Sequence, residues 1–237
     1  MQTIVILPTY NEAGNIQNII TEILEISSAD ILVVDDNSPD GTGILVDEIS
    51  AIDCRVQVLH RSTKSGLGSA YLAGFQWALN RGYGKIIEMD ADGSHQPSQL
   101  PLLISASVPG VDLVIGSRWT KGGEVINFSI PRRFISRLGN SYARIILRSS
   151  IYDLTGGFRI FNSDALRKIN LGTISSQGYC FQIELAKNIL DSGGKIVEVP
   201  ISFAERRTGS SKMSLSIIFE ALLTVTRWGL TKKREHL

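Results

Sequence analysis

Short apolar runs and helical apolar spacing take turns along the first half of the chain. TIVIL (3–7) is followed by Ile16, Ile19, Ile20, Ile23 and Leu24 at the i, i+3, i+4, i+7, i+8 spacing of one helix face. ILVV (31–34) is followed in the same way by Ile44, Leu45, Ile49 and Ile52. RVQVL (55–59), a helical stretch from about Gly68 to Leu79, KIIEM (85–89) and DLVIG (112–116) carry the alternation onward. Apolar strands separated by amphipathic helices predict an α/β fold, a mostly parallel central sheet with helices on both faces. Ligands of such sheets bind beyond the carboxyl ends of the strands, so those positions carry the functional information.

The four strand ends share one chemistry: PTYNE (8–12), DDNSPDGT (35–42), DADGS (90–94) and GSR (116–118). Each has an ordinary explanation by itself. Asn11 can cap the helix that follows it, and SPDG is a normal turn. Turn chemistry does not require two acids, Asp90 and Asp92, at the end of an apolar strand. In an extended backbone their side chains share a face, and their repulsion calls for a cation. Two hard carboxylates with few other protein ligands suit Mg²⁺ or Mn²⁺, whose shell is completed by waters and by the oxygens of a nucleotide diphosphate. His60, His95 and His236 have no mutual spacing that suggests a metal site, and are expected at the surface or behind the site. KSGLG (64–68) lacks the P-loop arrangement and reads as a loop near the substrate.

Charge adds to this picture. The net charge is +1, yet residues 1–60 hold ten acids against the single base Arg55, while residues 118–148 hold seven bases against Glu124. An acidic region beside a basic one suits a metal site next to a surface for phosphates or an anionic membrane; it does not suit a nucleic-acid binder. Between 132 and 148, Arg133, Arg137, Arg144 and Arg148 form a basic stripe opposite Ile135, Leu138, Tyr142, Ile145 and Ile146. Between 214 and 231, Glu220, Thr224, Arg227 and Thr231 form the one polar stripe on an otherwise apolar helix that ends in Trp228 and KKR (232–234). This suits an interfacial anchor. The expected organisation is a domain over 1–212 and a membrane-associating amphipathic helix and tail over 213–237. No window is long enough to span a membrane, and IVIL (4–7), ended by Pro8, is too short for a signal peptide. Cys54 and Cys180 read as reduced core residues.

Taken together, PTYNE, VVDDNSPDGT, MDADGSHQP, GSRW, DLTGGFRIF (153–161), GYCFQIE (178–184), EVPISFAER (198–206) and GSSKM (209–213) resemble the dolichol-phosphate mannosyltransferases, inverting glycosyltransferases with the GT-A fold. The ending SIIFEALLTVTRWG (216–229) is similar to the actinobacterial polyprenol-phosphate mannose synthases of this family. The resemblance implies transfer of mannose from GDP-mannose to a polyprenyl monophosphate. It implies a nucleotide pocket at Pro8, Tyr10, Glu12, Val34 and Asp36, and a metal and diphosphate segment at Asp90, Ala91 and Asp92. It further implies phosphate contacts from Arg118, Arg206 and Lys212, and an acceptor phosphate near Arg132 and Ser136. Asp92, Arg118, Arg132 and Ser136 would then be the catalytic set.

In some relatives a Gln two residues after the second Asp is a further metal ligand; Ser94 stands there in this chain, which changes the expected ligand set. Some relatives also continue into transmembrane helices, so here the resemblance implies peripheral attachment at the cytoplasmic membrane face or a membrane-protein partner. Two other readings remain open at this level. The fold and the D-x-D pair do not choose the base, so a UDP-sugar-dependent glucosyl or aminosugar transferase fits as well. The other is a non-catalytic nucleotide-sugar scaffold.

Overall fold

The computed structural model describes residues 2–205 and 215–232. Its main sheet contains β1 (Thr3–Thr9), β2 (Asp30–Asp35), β3 (Val56–His60), β4 (Lys85–Glu88), β5 (Leu113–Ser117), β7 (Arg159–Asn162) and β8 (Ile196–Pro200). Their order is β3-β2-β1-β4-β7-β5-β8, and only β7 runs antiparallel to its neighbours. β6 (Glu124–Ile126) and β9 (Ser202–Ala204) pair separately as a parallel ribbon. The strand order reverses at β1: β2 and β3 lie on one side, and β4 and the later strands on the other. A crevice therefore opens at the carboxyl ends of β1, β2 and β4.

Successive residues of β1 enter different cores. Ile4 and Ile6 face a core with α3 (Leu67–Asn80), α6 (Ser163–Lys168) and α7 (Gly178–Asp191); Val5 and Leu7 face one with α1 (Ile16–Ile26), α2 (Thr42–Ile52) and α4 (Leu100–Ala106). Helices on both faces explain why these strands read as continuous apolar runs. Helix α1 buries Ile16, Ile19, Ile20 and Ile23, as its spacing predicts. Helix α2 differs from the expectation. It buries Val46, with Leu45 and Ile49 packed beside it, while Ile44 and Ile52 are exposed. Ile44 stands two residues before Val46 and so on the other side of the helix, and Ile52 is its last residue. Helix α3 lies close on the sheet at Gly74, where a Cβ would stand 2.7 Å from Ile6 Cγ2.

The remaining helices, α5 (Ile130–Ile146) and α8 (Leu215–Lys232), pack on each other. Gly229 permits the approach, because a Cβ there would stand 2.5 Å from Ile146 Cγ2. Tyr142 donates to Thr226 Oγ1 at 2.6 Å, since the Thr226 hydroxyl is itself given to the Leu222 carbonyl. Val225 is buried in the same core as α7, so the apolar side of α8 is in part a packing face. Arg148 lies past the end of α5 in a left-handed turn, φ 51°, which shortens the expected basic stripe. Cys180 is buried as expected. Cys54 is exposed, because it falls in the turn between α2 and β3. No helix among the described residues is long and apolar enough to cross a membrane.

Candidate active site

The carboxyl ends of the strands line one cavity of about 510 Å³. Pro8, Tyr10, Glu12, Asp36, Asp90, Ala91, Asp92, Arg118, Arg132 and Ser136 all border it, so most of the expected residues converge although they are scattered over the chain. Val34 does not border it; its side chain is in the core under Gly74. Arg206 and Lys212 lie outside the described residues. The loop containing Lys64, Gly66 and Leu67 borders the cavity, in agreement with the reading of KSGLG.

At the β1–β2 end the two adjacent acids divide their work. Asp35 accepts from Thr9 Oγ1 at 2.8 Å, Ser38 N at 3.0 Å and Ser38 Oγ at 2.5 Å, and so ties the two strand ends together. Asp36 borders the cavity and accepts from Arg61 Nη1 at 2.8 Å. Burial raises its pKa, and the Arg61 charge opposes that rise. Asp40 accepts from Ala13 N at 3.0 Å and from Thr42 N at 3.1 Å, which joins the two loops. Asn11 is not a helix cap. It is left-handed at φ 62°, its N–H donates to Ser38 Oγ, and α1 begins only at Ile16. Lys64 Nζ lies 3.6 Å from the Tyr10 ring centroid, a cation on an aromatic face at the cavity edge.

Asp90 and Asp92 follow β4 and are held by groups that spacing does not reveal. Tyr71 donates to Asp90 Oδ1 at 2.9 Å from within the α3 core. His95 is buried between Phe158 and Phe203 and accepts the Asp90 N–H at Nδ1, 2.9 Å, which places its own proton on Nε2. It is therefore buried in the cavity wall beside Asp90 and not on the surface, whereas His60 is exposed beside Asp47; His236 lies outside the described residues. Ser94 donates to Asp92 Oδ1 from both N, at 3.0 Å, and Oγ, at 2.5 Å. Among the described residues no group of three or more His, Cys, Asp or Glu could hold a metal. Two carboxylates at a cavity wall fit an ion of the Mg²⁺ or Mn²⁺ kind, which takes its other oxygens from a diphosphate and water.

Below this pair sits a buried ionic layer. Glu88 and Arg159 are partners across β4 and β7, both fully buried. The Arg159 guanidinium donates to the carbonyls of Gly156, Gln182 and Leu154 at 2.7, 2.7 and 2.8 Å, which fixes the TGG segment against α7. Burial pushes Glu88 up to about 8 against the pull of Arg159, and lowers Arg159 to about 10. Asp153 is buried and binds Arg118 through Nε and Nη2, each at 2.7 Å, and through the backbone N–H at 2.9 Å. Arg118 thus enters the cavity wall as an oriented guanidinium. Neither Asp153 nor Arg159 is singled out by sequence spacing; an Asp and an Arg in an apolar stretch were the available signal.

Helix α5 turns Arg132, Ser136, Asn140 and Ala143 towards the cavity. Arg132 pairs with Glu205 through Nη1 at 2.5 Å and lies on the Phe128 ring at 4.1 Å. Past it the wall becomes apolar, with Ile135, Tyr142, Ile183, Leu222 and Val225. On the outer side of α5, Ile130, Phe134, Leu138 and Ile145 are exposed next to Arg133 and Arg137.

Fold and site together define an α/β enzyme of the nucleotide-sugar transferase kind, with an acid pair at the sheet's switch point. The chain belongs to glycosyl transferase family 2, which its residues 4–170 match. It is 49% identical over 238 residues to an undecaprenyl-phosphate mannosyltransferase of Micrococcus luteus, covering 100% of this chain and 98% of that protein. It is likewise 49% identical over 231 residues to a polyprenol monophosphomannose synthase of Mycolicibacterium smegmatis, covering 97% and 87%. Among solved structures it is similar to mannosyl-3-phosphoglycerate synthase from Rubrobacter xylanophilus, with TM-score 0.72, 19% identity, and 99% of this chain and 75% of that one covered. It is also similar to glucosyl-3-phosphoglycerate synthase from Mycobacterium tuberculosis, solved with Mn²⁺, UDP-glucose and phosphoglyceric acid; there the TM-score is 0.68, identity 20%, and coverage 95% and 80%. These likenesses identify the fold as GT-A.

Proposed function

We propose that this chain is an inverting, divalent-metal-dependent mannosyltransferase that moves mannose from GDP-mannose to the phosphate of a polyprenyl monophosphate at the cytoplasmic face of a membrane. The observation that carries the reading is the single cavity. It runs from an acidic, hydrogen-bonded end at Tyr10 and Asp36, past Asp90 and Asp92, to Arg132 and Ser136, and on to an apolar wall between α5, α7 and α8. A nucleotide, a diphosphate, an acceptor phosphate and a hydrocarbon chain need those surfaces in that order. The names of the two 49% identical relatives support the same acceptor class and the same sugar.

In this reading Asp36 and Tyr10 bind the nucleoside, while Asp90, kept in place by Tyr71 and His95, and Asp92, kept in place by Ser94, receive the diphosphate side. When bound there, Mg²⁺ or Mn²⁺ supplies neutralising charge for the departing diphosphate. Arg118 adds a fixed positive charge, with Arg206 and Lys212 as further phosphate contacts by family resemblance. Arg132 and Ser136 hold the acceptor phosphate in line with the anomeric carbon. An oxygen of that phosphate attacks, the bond from the anomeric carbon to the GDP oxygen breaks, and the configuration inverts. A phosphomonoester carries about −1.5 to −2 charge at neutral pH and needs no base to activate it.

The exposed Ile130, Phe134, Leu138 and Ile145 on α5, Leu223 and Leu230 on α8, and the flanking Arg133 and Arg137 support docking on an anionic membrane surface, where the acceptor resides. The test is turnover in detergent with Mn²⁺, a polyprenyl monophosphate, and either GDP-mannose or UDP-glucose. Glycolipid and GDP should form from the first donor alone. Product from UDP-glucose only would assign a different donor, and product from neither would leave a nucleotide-sugar scaffold.

A further inference from the structure

Helix α5 buries little of itself. Of its residues only Asn140 and Ala143 are buried, and Asn140, 2% exposed, is a poor helix former set inside the helix. Its amide is engaged on both sides. Nδ2 donates to the Ser136 carbonyl at 3.0 Å and to Thr155 Oγ1 at 2.9 Å, and Oδ1 accepts the Thr155 N–H at 3.2 Å. The reverse orientation would set oxygen against the Ser136 carbonyl and NH₂ against the Thr155 N–H, so the sense of the tie is fixed.

Thr155 is the middle of a longer chain of contacts. Its hydroxyl also accepts from Arg118 Nη2 at 2.8 Å and donates to Asp153 Oδ1 at 3.3 Å. Asp153 holds Arg118 by itself through Nε, Nη2 and the backbone N–H, and the Glu198 carboxylate of β8 accepts the N–H groups of Tyr152 and Asp153 at 2.8 and 2.9 Å. One hydroxyl oxygen thus joins α5 to a guanidinium that is secured from the sheet. Asn140 stands four residues after Ser136 and eight after Arg132, so the three share one face of α5, with Ser136 about 6 Å and Arg132 about 12 Å away along its axis. All three border the cavity, as does Thr155. Fixing Asn140 fixes the rotation of that face and its distance from Arg118.

We propose that the Asn140–Thr155 tie positions the acceptor face of α5 against Arg118, and so sets the line along which the acceptor phosphate attacks the donor. Asn140 and Thr155 are positioning residues. They act through Arg132 and Ser136, whereas Arg118 keeps its place without them through Asp153. The proposal rests on the acceptor reading above, and deepens it from the residues that meet the phosphate to the contacts that place them. Hydrogen bonds suit this task because they fix direction as well as distance, which apolar packing does not.

The experiment compares Thr155→Val, Thr155→Ser and Asn140→Ala with wild type in Mn²⁺, by transfer to a polyprenyl monophosphate and by calorimetric titration of GDP. Thr155→Val keeps the shape, the backbone N–H and the Arg118–Asp153 pair, and removes only the shared hydroxyl. In Thr155→Val and Asn140→Ala, acceptor kcat/KM should fall about tenfold or more while the Kd for GDP stays within about twofold, since displacing a reacting group by about 1 Å costs up to about a hundredfold. Thr155→Ser, which keeps the hydroxyl, should stay within about threefold of wild type, and Thr155→Val added to Arg132→Gln should cost no more than about threefold further, because the residue it places is gone. Should Asn140→Ala not fold, Thr155→Val decides with Thr155→Ser as its control. A GDP affinity that falls as far as acceptor kcat/KM would put the tie on the donor side. An undiminished loss in the Arg132→Gln background would make it a general support of the fold, and an unchanged kcat/KM would make it idle; each of these overturns the proposal. A wild type that transfers only from UDP-glucose overturns the GDP-mannose donor and not the tie, which is then read with UDP-glucose and UDP. A wild type that glycosylates no polyprenyl phosphate overturns both.

Discussion

The two ends of the cavity are built differently. At the end proposed for the donor almost every polar group is held before a ligand arrives: Asp35 by Thr9 and Ser38, Asp90 by Tyr71 and His95, Asp92 by Ser94, Arg118 by Asp153. At the end proposed for the acceptor Asn140 is tied to Thr155, but Arg132 is paired only with a half-exposed Glu205, and the helix carrying both leaves large apolar side chains in solvent. Preorganised dipoles stabilise charge that develops at one fixed place, and a diphosphate leaving group is such a charge. A lipid phosphate arrives from another phase at the end of a flexible chain, and needs a surface that fits the membrane. Fixed geometry serves the chemistry, and exposed apolar area serves delivery.

The contrast breaks most sharply at Asp92. Asp92→Asn should lower turnover roughly a thousandfold or more and abolish metal-dependent donor binding, while the melting temperature holds or rises, because the native pair repels itself without metal. Unchanged turnover in a radiolabel transfer assay would remove the metal from the donor end.

The layer beneath should appear in stability instead. Glu88 has a folded pKa of about 8 against an ordinary 4.5. The folded state therefore binds more protons between those values, so its stability falls as pH rises through that window and levels off above it. In chelator, Glu88→Gln should remove this slope, and its gain over wild type should be larger at pH 9 than at pH 5, with a ceiling on the order of 4 kcal/mol. Parallel denaturation curves for the two proteins across that range would contradict a protonated Glu88.

Arg132 separates the ends kinetically. If Arg132 meets the acceptor phosphate as proposed, Arg132→Gln removes a charge-assisted contact worth about 1.5–3 kcal/mol, so acceptor kcat/KM should fall roughly ten- to a hundredfold with GDP-mannose affinity nearly constant. Lys should rescue in part, since it keeps the charge and loses the fork. Equal losses for donor and acceptor would place Arg132 with the donor residues.

The smallest effect concerns the outer face of α5. Reversing Arg133 and Arg137 to Glu should weaken sedimentation with anionic vesicles, each basic residue contributing about 1 kcal/mol at such a surface, and leave turnover of a detergent-dispersed acceptor unchanged. Truncation after Lys212 is a poorer probe, because α8 contributes Val225 to the core and its loss damages folding as well as docking.

Strand and helix periods and acid pairs at strand ends determined five of the sheet's seven strands and its carboxyl edge, because these depend on neighbours one to eight positions apart, while the ordered motifs, through their family resemblance, supplied ten of the residues on the cavity wall. Tertiary structure alone decided which member of each pair faces the ligand. Asp35 and Asp36 are equivalent in sequence, and they divide only because Thr9 comes from another strand. His95 lacked a metal-like partner in sequence, yet two aromatic rings from distant segments hold it on the Asp90 N–H. The place of Gln182 against Glu88 is likewise set where α7 meets β4 and β7, and the outer face of α5 is set by where α8 stops covering it. Contacts between elements far apart in the chain obey packing and polar satisfaction, and those conditions exist only once the elements have met.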